Sequence, residues 1–284
     1  MNKIITFTTE LAIRPWFFEH RFAGRAVLPM VEAIDFLAAL AMEKFHELDV
    51  RHISNAKFDK LLPLPDAASL PVIVEYEPLA DGRVRAALMS KKTDRINRLL
   101  GHAEMVFGRG EAAPDDESDE DLNLAPEEAT NSQAMRISPA RIYSELVPFG
   151  PHYHSLRGEP RFDADTATAE LIAPALPFAC PALANPFLLD GAMHAACVHG
   201  QRFCGFVPFP VAFSTLNIGN ARDLQQAGRR CRARCRLTRA NTHEISYDIV
   251  ISGGSGYIYL RGLLMKDVSG GAIKPPDWIV EKSR

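Results

Sequence analysis

Two residues far apart in the chain, His20 and Asp190, are candidates for an acid–base pair. His20 opens the stretch His-Arg-Phe-Ala-Gly-Arg-Ala-Val-Leu-Pro, residues 20–29, directly before a long apolar segment. A histidine can titrate near neutral pH, Gly24 lets a backbone or a ligand come close, and Pro29 suits the start of a helix. These features predict a base at a loop–helix junction, with a purely structural histidine as the alternative.

Asp190 lies on a second apolar segment, four residues before His194. On a helix this spacing puts both side chains on one face, so the imidazole can hold or orient the carboxylate. An ionised carboxylate among Leu188, Leu189 and Ala192 is costly to bury, which favours its protonated form. A carboxylic acid kept protonated at neutral pH can act as a general acid. The alternative is an acidic residue near a helix N terminus that only favours the helix dipole.

The apolar pattern predicts the elements that would hold these residues. In the first part of the chain, the segment after Pro29 is apolar at helical spacing round most of its circumference, which is typical of a buried helix. Asp81-Gly82 predicts a tight turn between two strands. The predicted strands cover residues 3–13, 53–62, 71–79, 83–90 and 98–108. One buried helix and an antiparallel sheet therefore make up this part.

The second part repeats this plan without repeating its residues. Asn185-Pro186 begins a buried helix that ends near Gly200, and Ser138-Pro139 begins a short helix over residues 138–147. The predicted strands cover residues 166–173, 206–218, 229–238, 243–251 and 255–266. Two helices, each wrapped by a curved antiparallel sheet, give an α+β fold.

Composition along the chain predicts the domain boundaries. Residues 111–128 contain nine acidic residues and no basic one, which is typical of a solvated linker, with an acidic docking segment as the alternative. The tail after Ser269 is rich in glycine and proline and is predicted to fray. The chain is then divided into an N-terminal domain (1–109), a linker (110–137), a C-terminal domain (138–268) and a flexible tail (269–284).

Overall composition disfavours several classes of protein. The chain has 284 residues, of which 47% are hydrophobic, and its formal net charge is −3. Bulk charge therefore argues neither for nucleic acid nor for a membrane surface as partner, and no apolar run is long enough to span a bilayer. Five cysteines at irregular spacing, together with an N terminus unlike a signal peptide, predict reduced thiols in a cytoplasmic protein.

Four motifs resemble, in order and in spacing, those of polyketide synthase dehydratase domains. The family's HxxxGxxxxP, YGPxF, DxxxQ/H and LPF motifs are similar to residues 20–29, 149–156, 190–194 and 207–209 of this chain, and residues 214–219 resemble the strand after LPF. The likeness spans residues 1 to about 267. It implies a double hotdog fold in a single chain, with two antiparallel sheets that each wrap a long central helix.

The resemblance also implies a reaction, in which a β-hydroxyacyl thioester loses water to give an α,β-unsaturated thioester. His20 would be the base that removes the α-proton. Asp190 would be the acid that protonates the departing hydroxyl, and His194 would hold Asp190. Backbone N–H groups near Gly24, or at a helix start, could polarise the thioester carbonyl. No metal or redox cofactor is required, because the substrate would arrive on the phosphopantetheine of a partner.

Substrate positioning is implied for a further set of residues: Gly24, Pro29, Phe149, Gly150, Pro151, His154, His194 and Phe209. The chain departs from the family pattern in three ways. Phe149 replaces the usual tyrosine, His154 replaces a glutamine that often follows, and the tryptophan often found after LPF is absent. These departures leave the acid and the base intact and bear on substrate choice and rate.

A row of arginines could contact a partner. On a strand over residues 229–238, Cys231 and Cys235 face one side, which predicts that they belong to the core. The residues on the other side are Arg230, Arg232, Arg234 and Arg236. They form a solvated or edge-protecting face, or dock an acidic acyl carrier protein or its phosphopantetheine phosphate. Nucleic-acid binding is disfavoured because the row has no interleaved aromatic residues, and no cysteine–histidine spacing predicts a zinc site.

The sequence thus predicts a 3-hydroxyacyl-thioester dehydratase of polyketide or fatty-acid-type synthesis. Its partners would be an acyl carrier protein or other synthase components, and a homodimer is a further expectation. Two alternatives remain: a non-catalytic double hotdog that binds acyl chains or acts as a scaffold, and a hotdog thioesterase. The starting methionine and the tail favour a free-standing protein. Since one half supplies the base and the other the acid, neither half should work alone.

Overall fold

The computed structural model describes residues 3–91, 98–109 and 134–281. Its strands, in chain order, are β1 (Ile5–Ala12), β2 (Arg21–Phe22), β3 (Arg25–Ala26), β4 (His52–Lys57), β5 (Ser69–Pro78), β6 (Val84–Lys91), β7 (Leu99–Phe107), β8 (Met135–Arg136), β9 (Leu156–Phe162), β10 (Thr166–Ile172), β11 (Phe209–Gly219), β12 (Arg230–Ala240), β13 (Glu244–Gly253) and β14 (Gly256–Lys266). Its α-helices are α1 (Met30–Lys44), α2 (Pro139–Arg141), α3 (Pro186–Gln201) and α4 (Ala221–Gln225). A π turn, Ile142–Leu146, continues α2, and 3₁₀ helices cover Pro15–Glu19 and Pro151–Tyr153.

Twelve of these strands form one antiparallel sheet in the order β1-β5-β6-β7-β4-β11-β14-β13-β12-β10-β9-β8. The first five positions belong to the first half of the chain and pack on α1, whereas the other seven belong to the second half and pack on α3. The double hotdog is therefore confirmed. Its two sheets are joined edge to edge by pairing of β4 with β11, where Ala56 lies opposite Phe213 and Ser54 opposite Thr215.

Both long helices are buried, as their apolar circumference predicts. Asn185 caps α3, because its side-chain oxygen accepts a hydrogen bond from the Phe187 N–H at 3.1 Å. Every residue of α3 is buried, and α1 exposes only Glu43 and Lys44. The two helices also contact each other. The two halves therefore share one continuous hydrophobic core.

Some strands differ from those predicted. The strand predicted over residues 53–62 ends at Lys57, and the one predicted over 206–218 begins at Phe209. The pattern does not predict β9, because Gly158 and Pro160 are unfavourable inside a strand. The strand forms because Gly158 adopts a φ of +61° where the pairing of β9 with β10 shifts register.

Of the predicted linker, residues 110–137, the structure describes only the last four residues, 134–137. The acidic residues, 111–128, lie outside the described residues. The sheet already includes Met135–Arg136, which pair with β9, so the second half begins a few residues before Ser138. Elsewhere in the described part of the chain, no helix is long and apolar enough to cross a membrane. The five cysteines are all buried and free.

The predicted fraying of residues 269–284 is wrong for the part of this tail that the structure describes, residues 269–281. Ile279 is only 1% exposed. The Trp278 indole N–H donates a hydrogen bond to Glu145 at 2.7 Å, and the Arg141 guanidinium lies 3.5 Å from the centre of the indole. Glycine and proline prevent regular structure here, but a few large side chains are enough to attach an irregular segment to the core.

Replacing the buried side chain of this segment tests its attachment. Ile279→Ala should lower the free energy of unfolding by about 2–5 kcal/mol, because it leaves a cavity in the core. Urea denaturation measures the change. Asp277→Ala, at an exposed neighbour, is the matched control and should stay within about 0.5 kcal/mol of the parent. Equal stability of the two variants would mean that the segment is detached in solution.

Candidate active site

A cavity of about 650 Å³ lies between the two halves, and both His20 and Asp190 line it. Four of the other residues predicted for the site also line it: Gly24, Phe149, His194 and Phe209. The volume falls within the range of sites that enclose small organic ligands. Tertiary structure thus brings His20 and Asp190, the predicted base and acid, to one cavity although they lie 170 positions apart in the sequence (20 and 190).

Local backbone structure places His20 at the cavity. The histidine ends the 3₁₀ helix Pro15–Glu19: its N–H donates to the Phe17 carbonyl at 3.2 Å, and its carbonyl accepts from the Val27 N–H at 3.1 Å. The β2–β3 hairpin follows at once and turns through Gly24, whose φ of +78° favours glycine. Pro29 does not line the cavity. It is the residue before α1 and ends the loop in an extended conformation, with ψ at 148°.

The His20 imidazole is held between aromatic rings. It stacks on Phe149 with 4.1 Å between ring centroids and lies 5.5 Å from Tyr153. Its Nδ1 atom is buried and has no hydrogen-bond partner. Burial lowers the pKa of His20 from 6.5 to about 4, although the charge of Asp190 acts in the opposite direction. The ring is therefore neutral at physiological pH, as a base must be.

Asp190 and His194 lie on one face of α3, as predicted. Asp190 Oδ2 lies 3.0 Å from His194 Nε2, but the arrangement is not that of a hydrogen bond, and Asp190 Oδ2 and both His194 nitrogens have no hydrogen-bond partner. Both side chains are nearly inaccessible, at 5% and 4% exposed. Phe149 and Tyr143 pack on the His194 ring at 5.3 and 5.8 Å between centroids. Polar atoms of Asp190 and of its neighbour His194 are therefore buried without a hydrogen-bond partner at the cavity wall.

The loop that begins at Phe149 connects the second half to the segment that carries His20. The Gly150 N–H donates to the Glu19 carbonyl at 3.0 Å, and a side chain at this glycine would come within 2.5 Å of Glu19. The Glu19 carboxylate in turn accepts from the His152 N–H at 2.9 Å and lies 2.6 Å from His152 Nδ1. Gly150 and Pro151 do not line the cavity. Their position shows that they help to hold Glu19, the neighbour of His20.

His154 also lies outside the cavity lining. Its Nε2 is 2.9 Å from the Phe149 carbonyl oxygen, and its ring stacks on Tyr143 at 3.9 Å. The Tyr143 hydroxyl accepts a hydrogen bond from the Leu156 N–H at 3.1 Å. His154 therefore supports Phe149, which in turn packs on both His20 and His194. The sequence motif gave no sign of Tyr143, because it belongs to the preceding π turn.

The arginine row is separate from the cavity. β12 lies between β10 and β13, so the interpretation of an edge-protecting face is wrong. Cys231 and Cys235 are buried on the inner side, which confirms that they belong to the core. None of the four arginines lines the cavity, and Arg236 lies 3.3 Å from Asp248. Among the described residues, no group of three or more histidine, cysteine or acidic side chains is placed to hold a metal ion.

Several polar residues of the cavity wall were not predicted: Lys60, His102, Glu145, Gln201 and Lys274. Lys60, His102 and Lys274 lie on strands or loops whose place could not be known without the fold. Gln201 was detectable in principle. It follows Asp190, Met193, His194 and Cys197 on one face of α3, and all five line the cavity.

The family models and the solved structures that match this chain describe the same kind of domain. A family model described as the polyketide synthase dehydratase N-terminal domain matches residues 122–273. No curated protein matches the sequence. Among solved structures, the dehydratase domain of a mycocerosic acid synthase-like polyketide synthase is similar with a TM-score of 0.71 at 18% identity, covering 94% of this chain and 92% of that one.

Two further dehydratase structures are similar to this chain over most of its length. An N-terminal dehydratase from the difficidin assembly line has a TM-score of 0.70 at 16% identity and covers 95% of each chain. The dehydratase domain from the CurF module of the curacin polyketide synthase has a TM-score of 0.70 at 15% identity and covers 94% of each chain. At these identities the structures show a shared fold.

The environment of His20 leads to a direct test of its protonation. NMR titration should give a midpoint near pH 4 for the His20 imidazole, since burial holds its pKa well below 6.5. Comparison with His20→Ala identifies the signal. Between pH 6.5 and about pH 4 the unfolded chain binds more protons than the folded chain, because only the unfolded His20 is protonated. The free energy of unfolding should therefore fall as the pH drops through this range, and it should fall less steeply in His20→Ala. A midpoint near 6.5 would contradict the buried position.

Proposed function

Because the chain belongs to the polyketide synthase dehydratase family, whose domains remove water from β-hydroxyacyl thioesters, we propose that His20 is its base and Asp190 its acid. One observation supports this assignment most strongly. A neutral imidazole from one half and a carboxyl from the other line the same cavity, and each has a buried polar atom without a hydrogen-bond partner. Such atoms are costly in a folded protein unless a ligand satisfies them.

The elimination needs one proton removed and one delivered. The His20 imidazole takes the α-proton of the 3-hydroxyacyl thioester, and the electron pair of that C–H bond forms the double bond between the α- and β-carbons. The C–O bond at the β-carbon breaks, and Asp190 protonates the departing hydroxyl, which leaves as water. The products are the 2-enoyl thioester, an imidazolium and a carboxylate. Transfer of one proton from imidazolium to carboxylate restores the starting state.

The two groups influence each other in the direction that the reaction requires. The pKa of His20 is low because of burial, and the Asp190 charge raises it. As Asp190 gives up its proton, its new charge therefore stabilises the imidazolium that forms at the same time. Desolvation strengthens this attraction relative to the same pair in water. The pair thus gains its mutual stabilisation at the point where both charges develop.

The other cavity residues position the substrate. Phe149 has no hydroxyl group, so it contacts the acyl thioester only through its ring. The same ring stacks on the His20 imidazole. Phe209 and Phe22 meet edge to face at 4.8 Å and form an apolar part of the wall beside the hairpin that carries Gly24. We assign the polarising N–H for the thioester carbonyl to the backbone of this hairpin or to the start of α3.

Family members work within multidomain synthases on substrates bound to a carrier. For this chain we propose that the phosphopantetheine of an acyl carrier protein delivers the substrate, with no cofactor bound by the chain itself. Docking of the carrier on Arg230, Arg232, Arg234 and Arg236 stays a prediction, because these residues lie outside the cavity. A homodimer and a cytoplasmic location also stay predictions.

Removing either reacting group should stop the reaction. His20→Ala and Asp190→Asn should each lower kcat for a 3-hydroxyacyl pantetheine thioester by about 10²–10⁴-fold, the usual contribution of a general acid or base. Mass spectrometry of the product measures the rate and separates enoyl thioester from free acid. Asp165→Asn, at an exposed acid outside the cavity, is the control. Free acid formed by the parent would favour a thioesterase, and full activity in either variant would exclude the assigned pair.

His194 is proposed as a positioning residue for Asp190. His194→Ala should lower kcat by about 10-fold or more and displace the pH profile, because it opens space beside the carboxyl and the Phe149 ring. His194→Gln fills most of that space and keeps a polar group near Asp190, so it should recover most of the activity. A loss of activity without any displacement of the profile, and equal in both variants, would indicate a structural role alone.

A further inference from the structure

One buried carboxyl group close to the active site has no part in the proposed elimination. Glu32 lies in the first turn of α1 and is 3% exposed, and its neighbours Met30 and Ala33 line the cavity whereas Glu32 itself does not. Burial raises the pKa of Glu32 from 4.5 to about 7. A carboxyl group is costly to bury without a partner, so the position of Glu32 calls for an explanation.

The partner of Glu32 is the side chain of Trp16. The Trp16 indole N–H donates a hydrogen bond to Glu32 Oε1 at 3.2 Å, and Trp16 is only 8% exposed. An indole has a single donor, so this bond uses the whole hydrogen-bonding capacity of the Trp16 side chain. Carboxyl and carboxylate groups both have an oxygen that accepts, and the bond therefore forms in either protonation state of Glu32.

Trp16 belongs to the short 3₁₀ helix that precedes the proposed base. This helix covers Pro15–Glu19, and His20 follows it directly. Helices this short have few internal hydrogen bonds and are marginal on their own, so their position depends on the contacts that they make with the rest of the fold. The bond between Trp16 and Glu32 joins the helix to α1, the long buried helix of the same half.

The other end of the 3₁₀ helix is attached to the second half. The Gly150 N–H donates to the Glu19 carbonyl at 3.0 Å, and the His152 N–H donates to the Glu19 carboxylate at 2.9 Å. The rings of Trp16 and His152 lie 6.3 Å apart. The helix is thus held near its start by α1 and at its last residue by the second half, and these two attachments together set the place of His20.

α1 attaches a second neighbouring segment in the same way. Asp35, which is 2% exposed, follows Glu32 on this helix and accepts hydrogen bonds from the N–H groups of Ala179 and Cys180. These two residues lie in the loop before α3. Each buried carboxyl group of α1 therefore accepts from a different segment that packs against this helix.

We infer that Glu32 is a positioning residue for His20: by accepting the Trp16 hydrogen bond it attaches the 3₁₀ helix to α1 and so holds the imidazole at its place in the cavity wall. The inference rests on the proposed function, in which His20 removes the α-proton. Neither Glu32 nor Trp16 lines the cavity, so loss of their bond should leave substrate binding nearly unchanged. It should slow the proton transfer, because a displacement of about 1 Å can lower the rate by about 100-fold.

Variants on both sides of the bond test this inference. Glu32→Met removes the acceptor at similar volume and Trp16→Phe removes the donor, and each should lower kcat for a 3-hydroxyacyl pantetheine thioester about 10-fold while KM changes by less than about 2-fold. Glu32→Gln keeps an oxygen that accepts from Trp16, and its kcat should stay within about 3-fold of the parent value. The double variant should be no slower than the slower single variant, because both changes remove the same bond.

Tyr76→Phe is the matched control. The Tyr76 O–H donates to the Leu37 carbonyl at 2.8 Å, which is a buried bond to α1 that does not involve the 3₁₀ helix. Its loss should lower the urea midpoint to a similar extent as Glu32→Met and leave kcat unchanged. A fall in kcat as large as that of Glu32→Met would mean that any weakening of the fold around α1 slows the reaction, and it would overturn the inference.

The NMR titration of His20 gives a readout that does not depend on turnover. Glu32→Met and Trp16→Phe should each move the midpoint from near pH 4 towards 6.5 by about 1 pH unit, because a less firmly held imidazole is more exposed to water, and Glu32→Gln should keep the parent midpoint. A parent midpoint and a parent kcat in Glu32→Met would contradict the inference, as would a loss of activity in Glu32→Gln equal to that in Glu32→Met. If the parent protein dehydrates no thioester, the proposed function fails, and the midpoints alone then decide whether Glu32 positions His20.

Discussion

The pairing of β4 with β11 is the interaction on which the active site depends. It joins two hotdog sheets into one and so sets the position of α1 relative to α3. His20 is attached to the first half and Asp190 to the second, and neither half contains both groups. Backbone hydrogen bonds in an antiparallel ladder are regular and insensitive to side-chain identity. The relative position of His20 and Asp190, the proposed base and acid, can therefore persist while the residues around them change, as they have relative to structures at 15–18% identity.

A second connection between the two halves fixes the surroundings of His20, the proposed base. The loop from Phe149 to His152 crosses from the second half, pairs with the backbone of Glu19 through Gly150, and places its own phenylalanine on the His20 ring. Phe149, which stands where the family usually has a tyrosine, is thus the residue that stacks on the His20 imidazole. His154 and Tyr143 support this loop from behind. The departures at positions 149 and 154 therefore affect the packing around His20, and the imidazole itself is retained.

Burial controls the chemistry of the site. It keeps the His20 ring neutral by lowering its pKa, and it leaves polar atoms of His20, Asp190, His194 and Gln201 without partners. Each such atom destabilises the free protein, and the large apolar core compensates for this cost. The segment 269–281 contributes to the same environment, because Ile273, Lys274 and Pro276 form part of the cavity wall. The folded protein thus bears a cost in stability at the cavity, which the burial of apolar side chains elsewhere offsets.

Much of this architecture could be predicted from the sequence, because short-range patterns determine it. The apolar circumference of α1 and α3, the alternation in β12 and the spacing of Asp190 and His194 each depend on neighbouring residues, as does the motif around His20. The strand β9 and the attachment of Ile279 could not be predicted, since Gly158, Pro160 and the glycine-rich tail have unfavourable local preferences that only tertiary contacts override. The sequence by itself therefore determined most of the elements and singled out His20 and Asp190 as the predicted base and acid. Only the tertiary structure decided that they share one cavity, that Gly150 and His154 support the site from outside it, and that Gln201 lies in its wall, because these relations join segments whose separation in the chain carries no information about their distance in space.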